Sequence, residues 1–245
     1  KIVHSTTPNA GLLCCLAGIF ARVDIRIHTF TGQAWVGSSG LNLWLAKLAD
    51  WLVSRLNTRC FSDSRSQCSF LVESGVVRVG SVGVIGAGSL AGVDLARFRS
   101  ERFDLALRRK IRRSIGVSEA SFVILFVGRC TRDKGVGELI TAFSKLLQRG
   151  LDISLVLVGP FEDDAQEIID QTPAEIRARV ICTGFSHCPE QYMAVADVLA
   201  IPSYREGFGS VIIEAASCGI PAIAYKTEGV IDAIEDQATG ILVEK

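Results

Sequence analysis

The sequence predicts an α/β fold made of two Rossmann-like, doubly wound domains, the first of them incomplete. Three observations carry that expectation. From Ala120 onward, apolar runs of strand length alternate regularly with segments of helical pattern, the signature of βαβ units around a parallel sheet. Glycine or proline follows several of those runs, as at Gly128 and Gly159-Pro160. The first ninety residues alternate as well, less cleanly, and open on what reads as the tail of a strand at Ile2-Val3-His4.

Phe122–Val127, Ile153–Val158, Val180–Cys182, Val198–Ile201, Ala222–Tyr225 and Ile241–Val243 are near-continuous apolar runs, as expected of strands buried on both faces. Gly137–Leu147, Ala165–Ile169, Glu190–Ala196, Val211–Ser217 and Val230–Ile234 read as the helices between them. Earlier, Ala10–Phe20 reads as a helix and Ile25–Phe30 as a strand. Leu41–Leu56 reads as a helix whose stripe of Leu41, Trp44, Leu45, Leu48, Trp51, Leu52 and Leu56 is expected to pack into the core. The boundary is placed at residues 1–95 for the first domain and 96–245 for the second.

Bulk composition excludes some classes. Lys plus Arg and Asp plus Glu number 26 each, so no global field favours a nucleic-acid partner. The eight cysteines contain no C-x-x-C spacing and sit mostly among apolar neighbours; reduced, buried thiols of a cytoplasmic protein are expected. The longest apolar run, Ala10 to Ala21, falls short of the roughly 20 residues a membrane span needs. A basic stretch, Arg97, Arg99, Arg102, Arg108, Arg109, Lys110, Arg112 and Arg113, reads as a solvated helix face; a peripheral contact with an anionic membrane is the sharper alternative.

The densest chemistry lies in Ser203–Ala215. Glu206 and Glu214 are separated by seven residues, with Gly207-Phe208-Gly209 after the first and a helix expected from Ser210. Such a helix offers free amides, Ser210 and Val211 among them, to an anion, and Glu214 lies about 6 Å along its axis. Arg129 can grip phosphate bidentately and Lys134 adds a point charge. Together these four side chains suit a nucleotide sugar: a diphosphate held by cations, hydroxyls met by carboxylates.

These residues resemble the E-x7-E motif of retaining GT-B glycosyltransferases, most closely glycosyltransferase family 4. Val127-Gly128-Arg129 with Asp133-Lys134-Gly135, Val156–Gly159, Cys182-Thr183-Gly184-Phe185, Tyr192–Asp197 and Pro202-Ser203 follow in that family's order. His28–Gln33 and Gly88–Asp94 resemble its bacterial cell-surface polysaccharide members. The resemblance implies two domains facing a cleft, truncated at both ends here, the first (1–95) on the acceptor side and the second (96–245) binding the donor, and transfer of a hexose or N-acetylhexosamine from a nucleoside-diphosphate sugar. The implied acceptor is a glycan, lipid-linked in the family's surface-polysaccharide members, or a polyprenyl-diphosphate-linked acceptor. The resemblance assigns the diphosphate to Arg129 and Lys134, donor-sugar hydroxyls to Glu206 and ribose hydroxyls to Glu214, with Gly184 and Phe185 also at the donor. His4 is the candidate for contact with the transferred sugar, although many members carry their histidine two residues later, where Thr6 stands; His28 is the second candidate.

No resident cofactor or metal is expected: Glu162-Asp163-Asp164 reads as a helix N-terminus. Gly86-Ala87-Gly88-Ser89-Leu90-Ala91 imitates a dinucleotide fingerprint, but no second strand ending in an acid follows it. A glycoside hydrolase would use Glu206 and Glu214 and leave both cations idle. A non-catalytic sugar-nucleotide binder and a nicotinamide-dependent enzyme stand as the rival classes.

Overall fold

The structure, a computed structural model, describes residues 1–245 except the side chains of Asp163 and Asp164. It divides into two compact units. The first comprises Lys1–Gly92, Arg205–Gly209 and Thr227–Ala233; the second comprises Val93–Tyr204, Ser210–Lys226 and Ile234–Lys245.

The first unit holds a four-stranded parallel sheet in chain order, β1 (Ile2–Ser5), β2 (Ile25–Phe30), β3 (Arg59–Ser62) and β4 (Val82–Val84). Helices α1 (Pro8–Phe20), α2 (Gly40–Leu56) and α3 (Arg65–Glu73) make the crossovers. Proline at the start of α1 suits a position whose amide has no helical partner. Ser64 caps α3, its hydroxyl accepting from the Gln67 amide at 3.2 Å. Cys15, Phe30, Trp35, Val53, Leu71 and Val82 are buried together at the centre.

The α2 stripe packs into the core only in part: Leu56 lies against it and Leu48 and Leu52 are half-buried. Leu41, Trp44, Leu45 and Trp51 face solvent, while Asp50 and Val53 are buried. The inward face is carried by Leu43, Ala46, Asp50 and Val53. A carboxylate can sit there because Trp35 Nε1 donates to Asp50 Oδ2 at 2.8 Å. Burial raises the Asp50 pKa, and that hydrogen bond opposes the shift.

The second unit begins with a 3-10 turn at Ser100–Arg102 and α4 (Leu105–Ser114). Its parallel sheet has six strands: β5 (Phe122–Val127), β6 (Ile153–Val158), β7 (Val180–Gly184), β8 (Val198–Ile201), β9 (Ala222–Tyr225) and β10 (Gly240–Val243). The spatial order is β10-β9-β8-β5-β6-β7. The chain winds outward from β5 to β7, then returns to place β8 on the other side of β5, a topological switch point. All six residues of β6 are buried, and so are Val123 to Phe126 of β5. Helix α5 (Val136–Gln148) buries Val136, Leu139, Ile140 and Phe143 against that sheet. Their spacing of three and four marks one helical face. Helices α6 (Asp163–Gln171), α7 (Ala174–Arg177), α8 (Pro189–Met193), α9 (Ser210–Ser217) and α10 (Val230–Ala233) complete the chain, α10 in the first unit.

All eight cysteines are free; Cys15, Cys60, Cys130 and Cys218 are buried, whereas Cys182 is exposed. Among the described residues no helix is long and apolar enough to cross a membrane. Gly86 to Ala91 forms a loop with no helix opening in it.

Candidate functional site

The carboxyl ends of β5 and β8 flank the switch point of the second unit, and the residues that follow them are tied together. After β5 the chain runs through Gly128 and Arg129 into a 3-10 turn, Arg132–Lys134, and then Gly135. Gly135 has φ +73°, and a Cβ there would lie 2.1 Å from the Pro202 carbonyl oxygen, so only glycine lets these loops close. The Tyr204 amide donates to the Asp133 carbonyl at 2.9 Å, and the Tyr204 hydroxyl donates to Glu138 Oε1 at 2.6 Å. That last bond, with the neighbouring carboxylate, pushes the Tyr204 pKa up to about 12. Arg129 and Lys134 are thereby held at the reversal of strand order, where open α/β sheets take ligands.

Arg129 has a partner that the sequence did not reveal. Its Nη1 lies 2.5 Å from Glu162 Oε1, with both side chains about half exposed at 52% and 51%. The pairing follows from the backbone: β5 and β6 stay in register past their ends through a bridge between Cys130 and Phe161. Glu162 therefore guards the cation expected to hold phosphate. The signal available in sequence was an acid three residues after the Gly159 turn.

Glu214 stands in α9, one turn from its start at Ser210, half-buried in the second unit. Burial raises its pKa; nearby Arg97 opposes the shift and Glu190 adds to it. Arg97 Nη2 donates to Glu190 Oε2 at 2.7 Å, and Glu190 is buried. One guanidinium thus faces two carboxylates contributed by α8 and α9. Gly184 and Phe185 follow β7; Phe185 is 67% exposed and stacks edge-on against His187 at 4.8 Å.

Glu206, Gly207, Phe208 and Gly209 belong by their contacts to the first unit, not to the donor-binding stretch in which chain order placed them. Gly207 explains the grouping. A Cβ on it would meet Asp63 Oδ2 at 2.6 Å and the Gly32 amide nitrogen at 3.1 Å, so the loop nests against the ends of β2 and β3. Phe208 is buried there. Asp63 is a further residue that sequence reasoning passed over. It is 8% exposed, its Oδ1 has no hydrogen-bond partner, and burial lifts its pKa to about 6.

His4 is exposed on β1, its Nε2 2.9 Å from Thr29 Oγ1. It lines a cavity of about 260 Å³ with Thr29, Asp63, Ser89 and apolar neighbours. His28 is instead a core residue: 1% exposed, 2.9 Å from Ser5 Oγ and edge-on to Phe30. Burial, assisted by the charge of His4, lowers its pKa to about 4. Contact with a sugar is not open to it.

The basic stretch is largely consumed by the fold. Arg112 donates to the Ser121 and Val195 carbonyls and pairs with Asp197, Arg108 donates to the Phe103 carbonyl, and Arg109 and Arg113 share Glu119. Among the described residues no cluster of three His, Cys, Asp or Glu is placed to hold a metal ion; the side chains of Asp163 and Asp164 lie outside that description.

A parallel sheet with a strand-order reversal, and an arginine and a lysine on the loop beside it, defines a doubly wound α/β protein. The chain belongs to the group 1 glycosyl transferases, whose family pattern it matches over residues 108–245. It is 28% identical over its whole length to the capsular polysaccharide biosynthesis glycosyltransferase CapM of Staphylococcus aureus, and spans 63% of that protein. It is 35% identical over 159 residues, 62% of the chain, to the D-inositol 3-phosphate glycosyltransferase of Pseudarthrobacter chlorophenolicus, spanning 37% of it. Among solved structures, Anabaena HepE in complex with UDP matches all of the chain and 65% of its own length at a TM-score of 0.80 and 23% identity. Sucrose-phosphate synthase from Thermosynechococcus elongatus matches 99% of the chain and 60% of its own at 0.78 and 23%. Those likenesses establish the α/β fold of GT-B type.

Proposed function

We propose that this chain forms part of a retaining, metal-independent glycosyltransferase. It moves a hexose or N-acetylhexosamine from a UDP- or GDP-sugar to a hydroxyl of a lipid-linked glycan. The setting is assembly of capsule, lipopolysaccharide or a related surface polysaccharide at the cytoplasmic face of the membrane. The observation that carries this reading is the position of Arg129 and Lys134 on the loop that leaves β5 at the switch point. HepE, of the same fold, has been seen with UDP and with UDP-glucose, and CapM is named for capsule biosynthesis.

Loss of a nucleoside diphosphate builds negative charge on the leaving oxygen, and fixed cations stabilise it. Arg129 is to supply bidentate bonds after leaving Glu162; Lys134 is to supply a point charge. Glu214 is to take the ribose hydroxyls and Glu206 the donor-sugar hydroxyls. The attacking hydroxyl gives its proton to a donor phosphate oxygen, so no separate base is required. His4 remains the candidate for contact with the transferred sugar.

The test is a panel of nucleotide sugars screened for thermal stabilisation, followed by assay of nucleoside-diphosphate release and of the product's anomeric configuration. One donor should stabilise the protein and be turned over with retention. Stabilisation without release would make the chain a non-catalytic binder. Stabilisation by NAD alone would replace the reading with a nicotinamide enzyme.

A further inference from the structure

Arg97 is aimed by its own backbone. Asp94 Oδ1 accepts from the Ala96 and Arg97 amides at 2.9 and 3.3 Å, closing a turn at the head of the second unit. From that turn the guanidinium reaches α8, where its Nη2 donates to Glu190 Oε2 at 2.7 Å and to the His187 carbonyl. The Glu190 side chain is 8% exposed and that of Arg97 38%. A carboxylate buried so deeply is stable as an ion only while its partner stays, so Glu190 fixes where the guanidinium charge sits.

That fixed charge faces Glu214. Helices α8 and α9 pack together. Burial pushes the half-buried Glu214 carboxyl toward its neutral form; Arg97 opposes this, and Glu190, with the smaller influence, adds to it. Cys218, one turn along α9, donates its amide to the Glu214 carbonyl. Its thiol, pushed up to about 11 by burial and by Glu190 and Glu214, stays neutral there, with Arg108 and Glu101 also in range. Cys188 faces Arg97 in turn. Among the described residues the Glu214 carboxylate carries no hydrogen bond. Arg97 therefore lends it charge without occupying its oxygens, which stay open to a pair of hydroxyls.

We propose that Arg97 is a positioning residue of the donor site, holding Glu214 as an ionised acceptor for the 2′- and 3′-hydroxyls of the donor's ribose. The proposal rests on the reading that gives Glu214 the ribose hydroxyls, and deepens it by naming what keeps that carboxylate charged. A neutral carboxyl would present one acceptor oxygen and one donor, and would bind the diol less well.

The experiment is calorimetric titration of the whole chain with UDP and with 2′-deoxy-UDP between about pH 5 and pH 8. The ratio of the two dissociation constants is read at each pH, which cancels the phosphate ionisation that both ligands share. At pH 8 the wild type should favour UDP about tenfold, and the preference should fade as acid protonates Glu214. The double variant Arg97→Met, Glu190→Gln removes both charges of the pair together, which a fold tolerates better than loss of one partner. It should keep the preference at pH 8 but lose it at a higher pH than the wild type, because a carboxylate without its cation takes up a proton sooner. Arg97→Lys should restore the wild-type midpoint, and Glu190→Gln alone should move it to lower pH. Equal midpoints throughout, or both ligands weakened alike with their ratio unmoved, would overturn the proposal and leave Arg97 a structural tie. UDP bound by the wild type without any ribose preference would instead sink the ribose assignment of Glu214, and this proposal with it.

Discussion

Glu162→Gln probes the cation on which donor binding is proposed to depend. Arg129 and Glu162 meet at 2.5 Å with each side chain about half exposed, and a pair that open contributes about 0.2–1 kcal/mol. A diphosphate that needs Arg129 must first displace Glu162. Neutralising Glu162 should return that amount to binding, tightening the UDP dissociation constant about 1.4- to 5-fold. Calorimetric titration with UDP at low and high salt reads the effect, which should shrink as the ions screen the pair. The same substitution in an Arg129→Ala background separates two causes. Release of Arg129 can no longer contribute there, so the gain should fall to whatever direct repulsion Glu162 exerts on the ligand. An equal gain in both backgrounds, or no gain in either, would refute the reasoning.

Two stability predictions follow from the loops. Gly135→Ala forces a left-handed alanine and a Cβ 2.1 Å from the Pro202 carbonyl; a loss of about 2 kcal/mol or more is expected, seen as a melting temperature lower by roughly 4–8 °C. An unchanged melt would show that the loop does not need this geometry. Asp63→Asn concerns the buried carboxylate whose pKa is lifted to about 6 from 3.8. Its folded pKa lies above its unfolded one, so the wild type is fully supported below about pH 4 and loses stability as pH rises through 6. Asparagine removes that loss. It should stabilise by up to about 3 kcal/mol at pH 8 and by little at pH 4, and a pH-independent effect in denaturant melts would contradict the assignment.

Much of the second unit was legible because its strands are buried on both faces. Phe122–Val127 and Ile153–Val158 are uninterrupted apolar runs whose ends coincide with β5 and β6. Strand β3 was not legible: Arg59-Cys60-Phe61-Ser62 is short and mixed. Its successor α3 did carry a sign, Ser64 followed three residues later by Gln67, a capping pattern. Periodicity located α2 but placed its inward side too far round, because Asp50 on the core face is silenced by a bond to Trp35, fifteen residues earlier in the chain. At the candidate site, the motif order singled out Arg129, Lys134 and Glu214, which the fold places after β5 and in α9 of the second unit. Glu162 and the Arg97–Glu190 pair were out of reach, since those contacts join residues 33 and 93 positions apart. The exposed Leu41, Trp44, Leu45 and Trp51 of α2 were hidden because a pattern of spacing does not state which side meets water.

The central claim is that a diphosphate binds at the switch point of the second unit. A crystal of the chain grown with UDP tests it most directly. The claim predicts phosphate oxygens about 3 Å from the Arg129 guanidinium and the Lys134 ammonium, with Arg129 drawn off Glu162 and the ribose on Glu214. UDP lodged elsewhere while Arg129 stays paired with Glu162 would contradict it.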